Sequence, residues 1–332
     1  MKKLITLMLA LTLLLSLAAC AEKAPEGVDV NIAVLTGPTG VGAVGLMEAN
    51  DNGETVNHYN FSVVSDNTQI NAGLTNGEFD IAAVATNVAA TLRNKGVGIQ
   101  VIALNTLGVL YILENGDSIR AVEDLAGKTV YAAGQGANPE YVLQHILASH
   151  GLTYSTPTTD VADPDLTVVF EAADVIQAKM AAGEIEVCML PVPAATAVLI
   201  QNQDVRSALD LTAEWDSRGA GGQLTMGCVV VREAFAREHP EAVEQFLTEY
   251  KASITTVREG VDHAAELCET YGIIPKAAIA KRAIPDCSLT FVSGAADIRS
   301  TLEPYYQVLF DANPDSIGGA IPDEDFYWSP KK

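Results

Sequence analysis

The chain is poor in basic residues. Among its 332 residues, 20 are Lys or Arg and 42 are Asp or Glu, which gives a formal net charge of −22. A surface this acidic repels the phosphate backbone, so nucleic acid is not expected as a partner. Aromatic residues make up only 6% of the chain, whereas alanine is abundant, which suits helices packed closely on a sheet.

Cysteine is also scarce, and none of the five cysteines has C-x-x-C spacing. This argues against a zinc site or a thioredoxin-like motif. Cys188 and Cys228 lie in apolar strand-like runs, where a buried free thiol is the common outcome. Cys268 and Cys287 could form a disulfide if the chain is exported, and the sequence leaves this pairing open.

The apolar run at the start of the chain, residues 4–17, is too short to span a bilayer comfortably. It follows Met-Lys-Lys and leads into Leu-Ala-Ala-Cys at 17–20, which is the pattern of a secretory signal and resembles a bacterial lipobox. We therefore predict a signal peptide at 1–19, a lipid on Cys20 and an anchored tether at 20–27, with the protein exported to the cell surface or periplasm. A simple signal with a chance cysteine is the alternative.

A helix–strand unit occurs twice in the sequence, 106 positions apart. Ile70 and Leu74 precede Gly77 and an apolar strand, and Ile176 and Met180 precede Gly183 and a second such strand. Apolar residues four apart share one helix face, and a glycine commonly ends a helix. The repeat predicts two similar α/β lobes with a cleft between them, and chance similarity is the alternative.

Strands and helices alternate along most of the chain, which predicts an α/β fold of mainly parallel sheets flanked by helices. We expect one lobe from residues 28–112 plus 227–332 and another from 113–226. The two chain crossings between them would form a hinge. The pattern also predicts a helix at 118–125 capped by Ser118, a strand ending at Asn105 and Thr106, and only helices after a return strand at 224–231.

Ligands of open parallel sheets bind beyond the carboxyl ends of the strands. Four predicted loops occupy such positions, and Asn105 and Thr225 lie beside them. The candidate ligand-binding residues are Gly37, Pro38, Thr39, Gly40, Thr86, Asn87, Asn105, Gln135, Gly136, Ala137, Asn138, Pro191, Val192 and Thr225. Structural alternatives remain for several: a tight turn at Gly37 and Gly40, a rigid loop at Pro191, and helix caps at Thr86, Asn87 and Asn138.

In the order and spacing of its motifs, the chain resembles the nitrate/sulfonate/taurine-type solute-binding proteins of bacterial ABC importers, a group that includes binders of pyrimidine precursors. The resemblance lies in the lipobox, the Thr-Gly-Pro-Thr-Gly loop at 36–40, Gly-Glu-Phe-Asp-Ile-Ala at 77–82, Asp-Leu-Ala-Gly-Lys at 124–128 and His-Pro-Glu-Ala-Val at 239–243. It implies a two-lobe type II periplasmic-binding-protein fold, a small-molecule solute, a permease with its ATPase as partner, and a monomer.

No catalytic residue, metal ligand or cofactor is predicted. The loop at 37–42 lacks the Lys and Ser/Thr of a Walker motif, and no histidine falls in a predicted cleft loop. The loops carry no Lys or Arg, which favours a neutral or mildly polar organic solute; Arg218 is the basic residue that could serve an anion. The alternative is a biosynthetic enzyme on the same fold, such as the pyrimidine-precursor synthases, whose Cys-rich cluster and active-site His the chain does not match.

Overall fold

Two six-stranded sheets organise the chain. The computed structural model describes residues 27–159, 161–219 and 222–330. The predicted signal peptide, Cys20 and nearly all of the tether lie outside these residues. Across the described ranges, no helix has both the length and the apolar character needed to cross a membrane.

The first sheet has the strand order β12-β4-β11-β3-β1-β2. We call this sheet and the helices on it the first lobe. β1 is parallel to β2 and β3, whereas β11 runs antiparallel between β3 and β4. Its strands are β1 Asp29–Leu35, β2 His58–Val64, β3 Ile81–Ala85, β4 Ile99–Leu107, β11 Thr225–Arg232 and β12 Leu289–Ser293.

The second sheet, which with its helices is the second lobe, has the order β10-β5-β9-β6-β8-β7. Its strands are β5 Leu110–Asn115, β6 Thr129–Ala132, β7 Tyr154–Ser155, β8 Leu166–Phe170, β9 Val187–Pro191 and β10 Val205–Asp210. Of the ten strand pairings in the two sheets, five are parallel and five antiparallel. The sheets are therefore mixed and not mainly parallel, because the strands that cross between the lobes run against their neighbours.

The helices lie against the two sheets and against each other. The α-helices are α1 Pro38–Val41, α2 Val44–Asp51, α3 Asn67–Asn76, α4 Thr86–Asn94, α5 Asn138–Ser149, α6 Ala173–Ala181, α7 Ala194–Gln201, α8 Leu211–Arg218, α9 Glu233–Glu238, α10 Pro240–Glu259, α11 Val261–Thr270, α12 Ala277–Ala283 and α13 Ala295–Ala312. Two of them connect the lobes: α12 packs on α7, and α13 packs on α5.

The repeated helix–strand unit is present in both lobes. α3 ends at Gly77 and α6 is followed by Gly183, and both glycines have the positive φ that a side chain disfavours. The following strands occupy equivalent places: β3 lies between parallel β1 and antiparallel β11, and β9 lies between parallel β6 and antiparallel β5. The sequence repeat is thus a repeat of sheet topology.

The two connections between the sheets run side by side. β4 passes into β5 through Gly108, and the return to β11 passes through Leu224. A Cβ atom on Gly108 would lie 2.1 Å from Thr212 Oγ1 and 2.9 Å from a Leu224 methyl carbon. The first sheet ends at Leu107 of β4 and the second begins at Leu110 of β5, although the prediction placed residues 109–112 in the first lobe. The return strand β11 begins in the first sheet at Thr225, although the prediction placed residues 225–226 in the second lobe. We propose the hinge at these two connections.

Two predictions of secondary structure are wrong, and three further elements were not predicted. Residues 118–125 contain only a short 3-10 turn, Val122–Leu125, because Ser118 donates its N–H and hydroxyl to Glu114 instead of capping a helix. The C-terminal part is not only helical, since β12 pairs with β4. β7, β10 and α8 were not predicted at all.

The four described cysteines are free and fully buried. Burial raises the pKa of Cys188 and Cys268 to about 12, which keeps these thiols protonated. Burial also raises the pKa of Cys287 above its usual range, with a smaller contribution from the nearby Cys268. The structure thus places Cys268 and Cys287 near each other without a bridge.

Candidate functional site

The candidate loops follow equivalent strands of the two lobes. The loop at 37–40 follows β1 and the pair Thr86–Asn87 follows β3 in the first lobe. The loop at 134–138 follows β6 and the loop at 191–193 follows β9 in the second lobe. Asn138 lies 3.0 Å from Thr86, and a Cβ on Gly37 would lie 3.8 Å from Pro193, so the ends of these strands face one boundary between the lobes. That a ligand binds at this boundary stays a prediction.

The two lobes meet through the side chain of Asn138. Its amide nitrogen lies 3.0 Å from Thr86 Oγ1 and 3.0 Å from the carbonyl oxygen of Met226, both in the first lobe. Asn138 is only 1% exposed and Thr86 is fully buried. Asn138 is the first residue of α5 and makes no capping bond, so the interpretation of this side chain as a helix cap is wrong. We call Thr86, Asn138 and the Met226 carbonyl the interlobe junction.

Thr86 is held in place from three sides. Its hydroxyl donates to the carbonyl oxygen of Thr225 at 2.8 Å, and its own carbonyl oxygen accepts from the Tyr306 hydroxyl at 2.9 Å. Tyr305, the neighbour of Tyr306 in α13, is also fully buried, and burial raises its pKa while the Thr86 side chain lowers it to a smaller extent. Thr86 begins α4 without a side-chain cap bond, so its hydroxyl is committed to the junction and not to the helix.

Asn105 has a structural role beside the junction. Its amide nitrogen donates to the Thr39 carbonyl oxygen at 3.0 Å and to the Tyr250 hydroxyl at 2.9 Å, and its Oδ1 accepts from Thr106 at 3.3 Å. Burial raises the pKa of Tyr250 to about 12, although the bond from Asn105 acts in the opposite direction. β4 continues to Leu107, so Asn105 lies inside the strand and not at its end. This residue fixes the position of the 37–40 loop.

Close approach explains the glycines of the first loop. Gly37 has φ 86°, and its N–H donates to the Ile273 carbonyl oxygen at 2.9 Å. A Cβ on Gly40 would lie 2.2 Å from the Leu35 carbonyl oxygen, so no side chain fits there without a backbone shift. A Cβ on Gly37 would lie 3.8 Å from Pro193 of the second lobe. Gly37 therefore lies close to the other lobe. Residues 38–40 are not a loop as predicted, because they belong to the short α1 that begins at Pro38.

The remaining second-lobe candidates form the rim of the same boundary. Gln135 and Gly136 are exposed, and the Gly136 N–H donates to Glu140 at 2.6 Å. Val192 is 2% exposed and its N–H donates to the Val109 carbonyl oxygen at 3.0 Å. Ala137 and Pro191 are half-buried beside them.

Asn87 points elsewhere. Its amide nitrogen lies 3.4 Å from the carbonyl oxygen of Ser316, in the 3-10 turn Pro314–Ile317. Thr91 also bonds Ser316, and Asn94 bonds Ile317, so one face of α4 holds this turn. The structure therefore places the Asn87 side chain with a C-terminal packing contact, and it does not bring it together with Asn138.

Arg218 is not available to the junction. Its guanidinium lies 3.1 Å (Nε) and 2.7 Å (a terminal nitrogen) from the two ring nitrogens of His150, on the surface of the second lobe. His150 in turn lies 2.7 Å from Glu123. The side chains of the junction and of Asn105 and Tyr250 are all uncharged at neutral pH. A ligand at this boundary would meet hydrogen-bonding groups and no fixed cation among them.

Sequence reasoning missed the aromatic residues behind the junction. Tyr305 packs against Trp215 of the second lobe, with 5.6 Å between ring centroids, and Trp215 packs on His145 at 4.7 Å. Tyr305 and Tyr306 lie more than 200 residues after Thr86 in the chain. The only available signal was a pair of adjacent tyrosines in a predicted helix, which does not indicate which lobe they face.

A separate groove lies at the other end of the first sheet. It has a volume of about 740 Å³, and its lining includes Gln100, Arg237, Arg299, Tyr327 and Trp328. Gln100 is at the start of β4, whereas Asn105 is near its end. None of the predicted site residues lines this groove, so it is distinct from the boundary between the lobes.

Comparison with known proteins agrees with this architecture. Residues 65–263, more than half of the chain, match the family model described as "NMT1/THI5 like". The fold is the two-lobe periplasmic-binding-protein-like α/β fold. The chain belongs to the NMT1/THI5-like family. A comparison with curated protein sequences finds no significant match.

Solved structures with the same fold cover nearly the whole chain. An ABC transporter protein from Parabacteroides distasonis has a TM-score of 0.74 at 22% identity, over 91% of this chain and 99% of that one. The periplasmic aliphatic sulphonate binding protein SsuA from Escherichia coli has a TM-score of 0.68 at 16% identity, over 93% and 94%. The alkanesulfonate-binding protein SsuA from Xanthomonas axonopodis pv. citri, bound to MOPS, has a TM-score of 0.65 at 16% identity, over 87% and 94%. At these identities the similarity establishes the fold alone.

Proposed function

We propose that the chain is the extracytoplasmic solute-binding component of an ABC importer, which captures a small organic solute between its lobes and delivers it to a permease. The observation that carries this proposal is the bond from Asn138 of one lobe to Thr86 of the other, at 3.0 Å. It lies where the loops after equivalent strands converge. A site built from both lobes gains ligand contacts only when the lobes approach, so binding shifts the population toward closure.

The names of similar structures support the same class of function. Two of them are described as sulfonate-binding proteins, and one is described as part of an ABC transporter. We propose that the two side-by-side connections at Gly108 and Leu224 act as the hinge that lobe closure requires. We propose a neutral or mildly polar solute, because the junction offers amide, hydroxyl and carbonyl groups.

The alternative function, a biosynthetic enzyme, finds less support in the residues. His145 packs on Trp215, His150 is bound by Arg218, and His263 lies 2.8 Å from Glu48. Each of these three imidazoles contacts a residue outside the interlobe junction. In the described ranges, no three His, Cys, Asp or Glu side chains are placed together to hold a metal ion. Turnover of a bound solute by the purified chain would favour the enzyme and contradict our proposal.

A thermal-shift screen of the purified chain tests the function. A solute present at about 100 times its Kd stabilises a single-site binder by ~2.7 kcal/mol, which is readily measured. We expect stabilisation by a small organic solute that is recovered unchanged after incubation. Absence of any stabilising solute from a broad library, or its chemical conversion, would contradict the proposal.

The predicted anchor is part of the same proposal. A lipid on Cys20 would keep the protein at the membrane on the outer side, beside a permease. In the native host, we expect the wild-type chain in the membrane fraction and the Cys20→Ser variant in the soluble extracytoplasmic fraction. Equal partitioning of the two proteins would exclude the anchor without excluding solute binding.

A further inference from the structure

Asn138 retains one unused hydrogen-bonding group at the interlobe junction. Both of its amide hydrogens are directed to the first lobe, to Thr86 Oγ1 and to the Met226 carbonyl oxygen. Its Oδ1 atom is buried and has no hydrogen-bond partner among the described residues. Since Oδ1 and Nδ2 share one carbon atom, Oδ1 lies at the same boundary. Burying such an acceptor without a partner costs about 1–3 kcal/mol.

The chemistry of the partners fixes the orientation of this amide. The oxygen and nitrogen of an asparagine are assigned from their surroundings. The Met226 carbonyl oxygen can only accept, and the Thr86 hydroxyl uses its hydrogen in the bond to Thr225. Both neighbours therefore require the amide nitrogen, and the carbonyl oxygen of Asn138 must be the free group.

The two other asparagines among the candidate residues differ from Asn138. Asn105, by contrast, uses both its amide nitrogen and its Oδ1 within the first lobe. Asn87 Oδ1 is also buried without a partner among the described residues, but the Asn87 amide nitrogen is directed to Ser316 and not to the second lobe. Asn138 is therefore the candidate asparagine whose free carbonyl oxygen belongs to a side chain that joins the two lobes.

Resting on the proposed function, we propose that Asn138 selects solutes that carry a hydrogen-bond donor. An N–H or O–H group of the solute bonds Asn138 Oδ1. An anion that has only acceptor atoms, such as a sulfonate, places its oxygens against Oδ1, and the junction side chains of Thr86 and Asn138 supply no positive charge. The site therefore differs in ligand class from the sulfonate-binding proteins that share its fold.

A matched pair of probes tests this selection. 1-Butanesulfonate and 1-butanesulfonamide have nearly the same size, but only the sulfonamide carries N–H donors. We expect the purified chain to bind the sulfonamide at least about tenfold more tightly in isothermal titration. The sulfonamide gains one hydrogen bond to Asn138 Oδ1, and this acceptor is then no longer buried without a partner. Asn138→Leu, which keeps the side-chain volume and removes Oδ1, should reduce this preference to near one.

A second variant distinguishes an effect on ligand preference from an effect on closure of the two lobes. Thr86→Val removes one partner of the Asn138 amide and leaves Oδ1 in place. It should weaken both probes by a similar factor and keep the preference for the sulfonamide. Equal or tighter binding of the sulfonate by the wild-type chain, or a preference that survives in Asn138→Leu, would overturn the proposal while leaving solute binding intact. Failure of the two probes and of every solute in the thermal-shift library would instead overturn the proposed function itself.

Discussion

The side-chain amide of Asn138 lies 3.0 Å from the hydroxyl oxygen of Thr86, and this bond joins two lobes that have separate sheets. Asn138 begins a helix after β6, and Thr86 begins a helix after β3. β3 and β9 are equivalent strands of the repeat, and β6 lies beside β9 as β1 lies beside β3. The repeat therefore explains why two distant parts of the sequence meet at one point.

The Thr86 hydroxyl should contribute to stability through its two bonds. Thr86→Val keeps the shape of the side chain but leaves the Thr225 carbonyl oxygen and one Asn138 hydrogen without a partner. We expect a loss of about 1–3 kcal/mol in the free energy of unfolding. Thr86→Ser keeps the hydroxyl and should lose clearly less. Urea unfolding of the three proteins measures the difference, and equal losses in both variants would show that the methyl group matters more than the bonds.

Asn105 and Tyr250 should act as a coupled pair in holding the 37–40 loop. Asn105→Leu leaves the Thr39 carbonyl oxygen and the Tyr250 hydroxyl unpaired, so we expect a cost of about 2 kcal/mol. Tyr250→Phe should cost about 1 kcal/mol, and the double variant should cost less than the sum of the two. A double-mutant cycle by chemical unfolding checks this. Strict additivity would mean that the 2.9 Å bond contributes nothing measurable.

The two glycines of the first loop should respond differently to alanine. At Gly40, a Cβ would lie 2.2 Å from the Leu35 carbonyl oxygen, so Gly40→Ala must move backbone and should weaken solute binding strongly. At Gly37 the Cβ atom of an alanine would have Pro193 as its nearest neighbour, at 3.8 Å. Gly37→Ala should therefore lower the free energy of unfolding only through the positive φ, by about 1 kcal/mol. Thermal unfolding and solute titration of both variants make the comparison. A greater effect at Gly37 than at Gly40 would contradict it.

Glu114 should make the stability of the second lobe depend on acid pH. Burial alone would raise the pKa of this carboxyl, but hydrogen bonds from Ser118, Ile119 and Arg206 lower it from 4.5 to about 2. Because the folded-state pKa lies below the unfolded one, the stabilisation is complete above pH 4.5 and is lost as the pH falls toward 2.

Glu114→Gln tests that dependence. The variant should be about 1–3 kcal/mol less stable than wild type at pH 7, and the difference should shrink at pH 3.5. The exposed Glu186→Gln serves as the control and should show little difference at either pH. Urea unfolding at the two pH values gives the comparison. A difference for Glu114→Gln that does not change with pH would exclude the proposed role of the carboxylate.

Local signals in the sequence were sufficient to predict two α/β lobes, although not the mixed direction of the strands in their sheets. Alternating apolar residues, glycine stops at Gly77 and Gly183 and the repeated unit predict two α/β lobes, and all of these are present. Local patterns also mislead: Ser118 has the form of a cap, yet the Glu114 carboxylate binds its hydroxyl and N–H. β12 was missed because it is an edge strand with no fully buried residue, so its apolar pattern is weak.

The site was predictable only in part. The positions of the loops follow from strand order, but the direction of each side chain depends on partners far away in the chain. Asn87 bonds Ser316 and Asn105 bonds Tyr250, so neither amide is directed by its local sequence. The tyrosines behind Thr86 come from the last long helix, and no local motif connects them with residues after β3.

The distance between the lobes with and without solute tests the central claim most directly. Val63 in the first lobe and Val175 in the second are exposed, at 37% and 42%, and the four described native thiols are buried. Spin labels on Val63→Cys and Val175→Cys, measured by pulsed electron resonance, should give a shorter and narrower distance distribution with a saturating solute from the screen. A control pair within the first lobe, Val63→Cys with Thr248→Cys, should not change. If a solute that binds leaves the distribution between the lobes unaltered, the account of capture by lobe closure is contradicted.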